Sequence, residues 1–191
     1  MFNLELAGKI WLLFVGQIPF LICAAWILPK NWKKIKTAFT EKVYHQLWLV
    51  VLFNFAAGLL LGLLLSPQMI PEQVKMFHSM GPLLSFLLVC IIAPLVEECF
   101  FRGLIFDNFE KNNLLPYLLS FFGFMLMHLG WFIFAFSWIG ILKYLIFYGI
   151  FSFYLICIYR LSGWNLAFPI AAHFFNNLIV FIIVFTRYKV S

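Results

Sequence analysis

Apolar positions in this chain neither alternate nor recur as a stripe on one helical face. They merge into long runs near residues 10–28, 46–65, 82–106, 114–134, 137–159 and 166–186. A helix needs about 20 predominantly apolar residues to cross a bilayer, so the pattern predicts six transmembrane helices. The connections are short and no segment repeats, which predicts one compact helical bundle without a soluble domain. Residues 1–80 supply two spans with a basic loop, and residues 81–191 supply the other four.

Composition agrees with this pattern. Of the 191 residues, 65% are hydrophobic, only 10% are charged and 26 are Phe, outside the soluble globular range. The fold class expected is an all-α integral membrane protein. The first run does not read as a cleavable signal peptide, because its basic cluster 30-KNWKKIK-36 follows the apolar stretch. A net charge of +6 would suggest nucleic acid in a soluble protein. Here the basic residues sit at span ends, so the expected contact is the lipid bilayer and no nucleic acid is expected.

Lys30, Lys33, Lys34, Lys36, Lys42, Arg102, Lys111 and Arg160 fall on one side of six spans, against Lys9, Lys75, Lys143, Arg187 and Lys189 on the other. The positive-inside rule then puts the first side in the cytoplasm and both termini outside. Cys23, Cys90, Cys99 and Cys157 are scattered singly, without metal spacing, and read as small core residues.

A charge at the centre of a span costs at least about 2.5 kcal/mol on insertion scales, which makes intramembrane ionisable residues functional candidates. The candidates are Glu97, Glu98 and Arg102 on the third span, His128 on the fourth, and His173 with Asn176 and Asn177 on the sixth. Glu98 and Arg102 are four residues apart, acid before base, which favours an intrahelical pair. Glu97 is rotated by roughly 100° from Glu98 and is the carboxylate without a local counterion. Pro94 removes the amide that would bond the Cys90 carbonyl, so a kink or widening is expected there. His173 shares a helical face with Asn176 and Asn177. At about 1.5 Å rise per residue, Glu97, His128 and His173 come out roughly 15, 20 and 12 Å deep, which predicts one buried site near mid-membrane.

A buried carboxylate beside histidines suits general-base activation of water. In that scheme Glu97 takes the proton, His128 holds the same water, and His173 and Asn177 donate to the oxyanion of a tetrahedral intermediate. Amide hydrolysis without a covalent intermediate or cofactor results. Zinc held by two histidines and a glutamate is the alternative, ranked second because H-E-x-x-H is missing. A Cys99 nucleophile has little support, since no histidine is near it in sequence.

These residues resemble a known family. The segment 97-EECFFRG-103 is similar to the EExxxR motif of the CAAX-protease and bacteriocin-processing (CPBP) family, also called the Abi or type II CAAX prenyl protease family. The segments 124-FMLMH-128 and 173-HFFNN-177 resemble its FxxxH and HxxxN motifs, in the family's order and on separate spans. The resemblance covers about residues 81–186 and marks 81–191 as the catalytic core. It implies Glu97 as water-activating residue, His128 as its partner, His173 and Asn177 as the oxyanion pair, and Glu98 and Arg102 as supporting residues. It also implies a glutamate-dependent intramembrane protease without an obligatory metal.

The expectation is therefore an intramembrane endopeptidase in a prokaryotic cell membrane, cutting a membrane peptide or protein substrate and serving bacteriocin self-immunity or peptide processing. The alternative is a non-catalytic immunity or scaffold protein that binds a bacteriocin or its receptor; intact motifs favour the protease. A proton-relay transporter fits less well, because paired broken helices are missing.

Overall fold

The computed structural model describes residues 4–40, 45–46, 48–50, 52–53, 56, 71–129 and 138–188. Most of the second expected span, 46–65, and the last residues of the fourth lie outside these. Among the described residues every regular element is helical. The elements are α1 (Leu4–Thr37), α2 (Pro71–Ser85), a π-helical stretch (Phe86–Ile92), α3 (Ala93–Glu98), a second π stretch (Cys99–Leu104), α4 (Ile105–Asn108), α5 (Leu114–Leu129), α6 (Trp138–Leu161) and α7 (Ala167–Arg187).

Among the described residues three stretches are long and apolar enough to cross a membrane: Val74–Asn108, Ile141–Leu161 and Ala167–Arg187. Leu114–His128 is a shorter apolar helix. With α1 these make five apolar helices among the described residues, and the all-α integral membrane class holds.

The segment 30–36, expected in a loop, is instead the end of α1, which runs on past Pro29 to Thr37. Lysine has good helix propensity, so losing apolar character does not end a helix. The loss of regular bonding comes later, in a turn where the Ala38 and Phe39 amides bond the Ile35 and Lys36 carbonyls. The α6–α7 turn closes on this end of α1, because Asn165 Nδ2 donates to the Lys34 carbonyl at 2.7 Å. The turn itself needs backbone in the left-handed region at Gly163, φ 67°, with the Trp164 amide bonding back to the Tyr159 carbonyl. Lys111 lies over the Trp164 ring and Arg160 over the Tyr117 ring. Lys34, Lys111 and Arg160 thus gather at one end of the bundle, as the six-span arrangement expects.

The core lies between α1 and the third span. Cys23, Ala24 and Ile27 pack with Val96, Cys99 and Phe101, joined by Phe106, Phe124, Phe151, Leu155 and Tyr159. Gly103 makes this approach possible, since a Cβ there would lie 2.5 Å from Ile27 Cγ2. The four cysteines are free thiols, and Cys23 Sγ sits 3.7 Å from the Cys99 carbonyl.

Candidate active site

The third span is not a uniform helix. Where Pro94 withdraws its amide, the preceding turns widen: the Ala93 amide bonds the Leu88 carbonyl, five residues back. After Glu98 the helix widens again, with the Ile105 amide bonding the Phe100 carbonyl. Glu97 and Glu98 therefore sit on a short α-helical segment between two π stretches, a local device often found where backbone is bent to serve a site. Both carboxylates and Arg102 are buried.

Glu98 and Arg102 hold each other. Arg102 Nη1 donates to Glu98 Oε1 at 3.2 Å, and Arg102 Nε lies 3.2 Å from Glu98 Oε2 as an ion pair without hydrogen-bond alignment. The guanidinium has further partners on α6: Nη2 donates to the Ser152 carbonyl at 3.2 Å and to Ser152 Oγ at 3.3 Å. Its centre lies 4.6 Å from the Phe124 ring centroid, a cation over an aromatic face. Removing two ions from water is costly, and these multiple partners offset much of that cost.

Glu98 has a second partner that spacing along its own helix does not reveal. His173 Nδ1 lies 2.8 Å from Glu98 Oε1. An ionised carboxylate can only accept, so Nδ1 carries the proton and donates. The other ring nitrogen, Nε2, faces Glu97 Oε2 at 3.9 Å. His128 has the same design with a different anchor. Its Nδ1 donates to the Phe124 carbonyl at 2.8 Å, and its Nε2 lies 3.7 Å from Glu97 Oε2. Glu97 Oε2 is buried and has no hydrogen-bond partner among the described residues. The two separations leave room for one small oxygen species within hydrogen-bond reach of the carboxylate and an imidazole. His128 is the more accessible of the three, its side chain 19% exposed against 7% for Glu97 and 3% for His173.

Asn177 takes a different position from His173. Its Nδ2 donates to the Val89 carbonyl at 2.9 Å, inside the first π stretch, and its Oδ1 accepts from Asn176 Nδ2 at 3.3 Å. The structure thus brings together Glu97, Glu98, Arg102, His128 and His173, with Asn177 tethered to the widened backbone beside them. Sequence reading passed over α6. Tyr148 stacks on His128 with centroids 4.2 Å apart, Phe151 meets His173 edge to face at 5.2 Å, and Ser152 binds Arg102. In an apolar span these residues look like ordinary packing, and only their three-dimensional partners distinguish them.

Among the described residues no cluster of three or more His, Cys, Asp or Glu side chains is arranged to hold a metal ion. Glu97, His128 and His173 are the side chains on which the zinc alternative would rest.

Paired carboxylates, a buried guanidinium and two imidazoles thus form one polar cluster inside a helical membrane bundle. A family model, the type II CAAX prenyl endopeptidase Rce1-like family, matches residues 79–179. The match covers more than half of the chain and all the residues above, and the protein belongs to this family of CAAX-type intramembrane proteases. No curated protein and no solved structure matches the chain.

Proposed function

We propose that this protein is an intramembrane endopeptidase in which Glu97 activates water for attack on a peptide bond at or within the bilayer. The observation that carries the reading is Glu97 Oε2, buried, without a hydrogen-bond partner among the described residues, and faced by the Nε2 atoms of His128 and His173 at 3.7 and 3.9 Å. With Nδ1 engaged by the Phe124 carbonyl, neutral His128 presents a bare Nε2 that accepts from the same water. Glu97 takes the water proton as oxygen attacks the carbonyl carbon, and returns it to the leaving amine.

The tetrahedral oxyanion needs donors. Asn177 supplies its amide on turning from the Val89 carbonyl. His173 serves as a donor through Nε2 only as an imidazolium, with Glu98 on its other nitrogen to balance the charge. Arg102 and Glu98 act as supports. The proposed setting is a prokaryotic cell membrane and the proposed use is bacteriocin self-immunity or peptide processing, supported by the resemblance of the three motifs.

The test uses purified protein in proteoliposomes with two quenched fluorescent peptides of one sequence, one carrying a farnesylated C-terminal CAAX cysteine and one unmodified. Mass spectrometry locates any cut. Cleavage of either peptide by wild type, lost in Glu97→Gln, supports the reading; cleavage that persists in Glu97→Gln at equal folded protein refutes it. Protection of cells from a bacteriocin panel, by wild type and not by Glu97→Gln, separates immunity by proteolysis from immunity by binding.

A further inference from the structure

Helix α6 carries none of the three motifs, yet one of its faces touches three motif side chains. Tyr148, Phe151 and Ser152 stand at i, i+3 and i+4, neighbours on a helical surface. Tyr148 stacks on His128, centroids 4.2 Å apart with planes at 24°. Phe151 meets His173 edge to face, 5.2 Å and 84°. Ser152 accepts from Arg102 Nη2 through both its carbonyl and its hydroxyl.

His128 is the case where this contact matters most. Among the described residues its ring has one hydrogen bond, Nδ1 to the Phe124 carbonyl. That bond fixes one ring atom and leaves the plane free to swing about it. The Phe124 ring lies at 4.5 Å and 37° on one side, and Tyr148 supplies the flatter stack. Together they aim Nε2 at Glu97. His173, by contrast, is 3% exposed and tied to a carboxylate, and tolerates looser walls.

We propose that Tyr148 is a positioning residue of the reaction: its ring fixes the plane of His128 and so the alignment of Nε2 with Glu97. The role belongs to the ring face, and it rests on the protease reading above only for its effect on rate. A small misplacement of a reacting group costs up to about 100-fold, so Tyr148→Leu lowers kcat between about 10-fold and 100-fold and leaves KM within about twofold. Tyr148→Phe keeps the stack and restores wild-type kcat.

The experiment reads the ring directly as well as the rate. Protein labelled with ¹⁵N and ¹³C in histidine is reconstituted in lipid nanodiscs; the chain has four histidines, and His128→Gln identifies the His128 signals. Expected are displaced His128 ring resonances in Tyr148→Leu, unmoved His173 resonances, and a wild-type spectrum in Tyr148→Phe. Tyr148→Met serves in place of the leucine variant should that one fail to fold. The proposal is overturned by wild-type His128 resonances and kcat in the leucine or methionine variant, or by a phenylalanine variant as defective as the leucine one. A wild type that cuts neither quenched peptide sinks the protease reading, and the ring resonances alone then support or overturn the positioning role.

Discussion

His173 Nδ1 lies 2.8 Å from Glu98 Oε1, the same oxygen that accepts from Arg102 Nη1. One carboxylate therefore ties the sixth span to the third and sets which nitrogen of His173 is free to face Glu97.

Losing that carboxylate strands two partners at once. Glu98→Ala leaves the Arg102 guanidinium buried without its counterion, a loss of about 3–5 kcal/mol, and releases His173. Glu98→Gln keeps an acceptor oxygen and loses less. In thermal unfolding of solubilised protein, Glu98→Ala and His173→Ala combined are expected to fall short of the sum of the two single effects, because they share one contact. Additive effects would mean that the Glu98–His173 bond contributes nothing of its own.

Glu97 and Arg102 are expected to divide differently. Glu97 Oε2 satisfies no hydrogen bond among the described residues, so Glu97→Gln breaks no hydrogen bond at that atom and is expected to leave membrane abundance close to wild type while cleavage is abolished. Arg102→Ala removes the counterion of Glu98 and the guanidinium over Phe124, and lowers abundance and cleavage together. Quantitative immunoblots of washed membranes beside the peptide assay check both; equal loss of folded protein in the two variants contradicts the division.

Much of this arrangement is legible in residue spacing, and the reason lies in which distances a helix fixes. Four-residue spacing pairs Glu98 with Arg102 and leaves Glu97 over, and the pair stands at 3.2 Å. Depth counting brings Glu97, His128 and His173 to one level, and the three side chains meet. The Pro94 amide predicts the first widening. The second, at Cys99–Leu104, has no proline to announce it.

Spacing also groups His173 with Asn177, but His173 reaches Glu98 while Asn177 reaches the Val89 carbonyl. Periodicity says which side chains share a face and nothing about what the facing helix offers. The α6 contacts were hidden for the same reason, since Tyr148, Phe151 and Ser152 carry no charge to single them out.

Two glycines give a contrast that needs no assay of activity. A Cβ on Gly103 would sit 2.5 Å from Ile27 Cγ2, and a β-branched side chain has few rotamers into which to retreat. Gly103→Ala therefore overpacks the α1 contact, at about 1–3 kcal/mol, and lowers the unfolding temperature. A Cβ on Gly149 meets only the Phe121 ring at 3.4 Å and Met125 Sδ at 3.7 Å, ordinary van der Waals distances, so Gly149→Ala leaves it close to wild type. Ile27→Ala opens space opposite Gly103 and is expected to recover part of the loss in the double variant, the mark of a direct contact. No recovery would place the strain elsewhere.

Removal of metal decides between the two hydrolytic schemes. In the proposed one the water is polarised by Glu97 and held by His128, and each imidazole is oriented through Nδ1 by the protein itself, from the Phe124 carbonyl and from Glu98. Orientation of this kind does not depend on a bound cation. Prolonged chelation followed by dialysis is therefore expected to leave peptide cleavage and thermal stability within about twofold of the untreated protein. A zinc site would respond in both readouts, because ligand binding to the folded state raises its stability as well as supplying the activated water. Activity lost on chelation and recovered at one equivalent of zinc, together with a matching rise in unfolding temperature, would move Glu97, His128 and His173 from a base and its partners to the ligands of a metal.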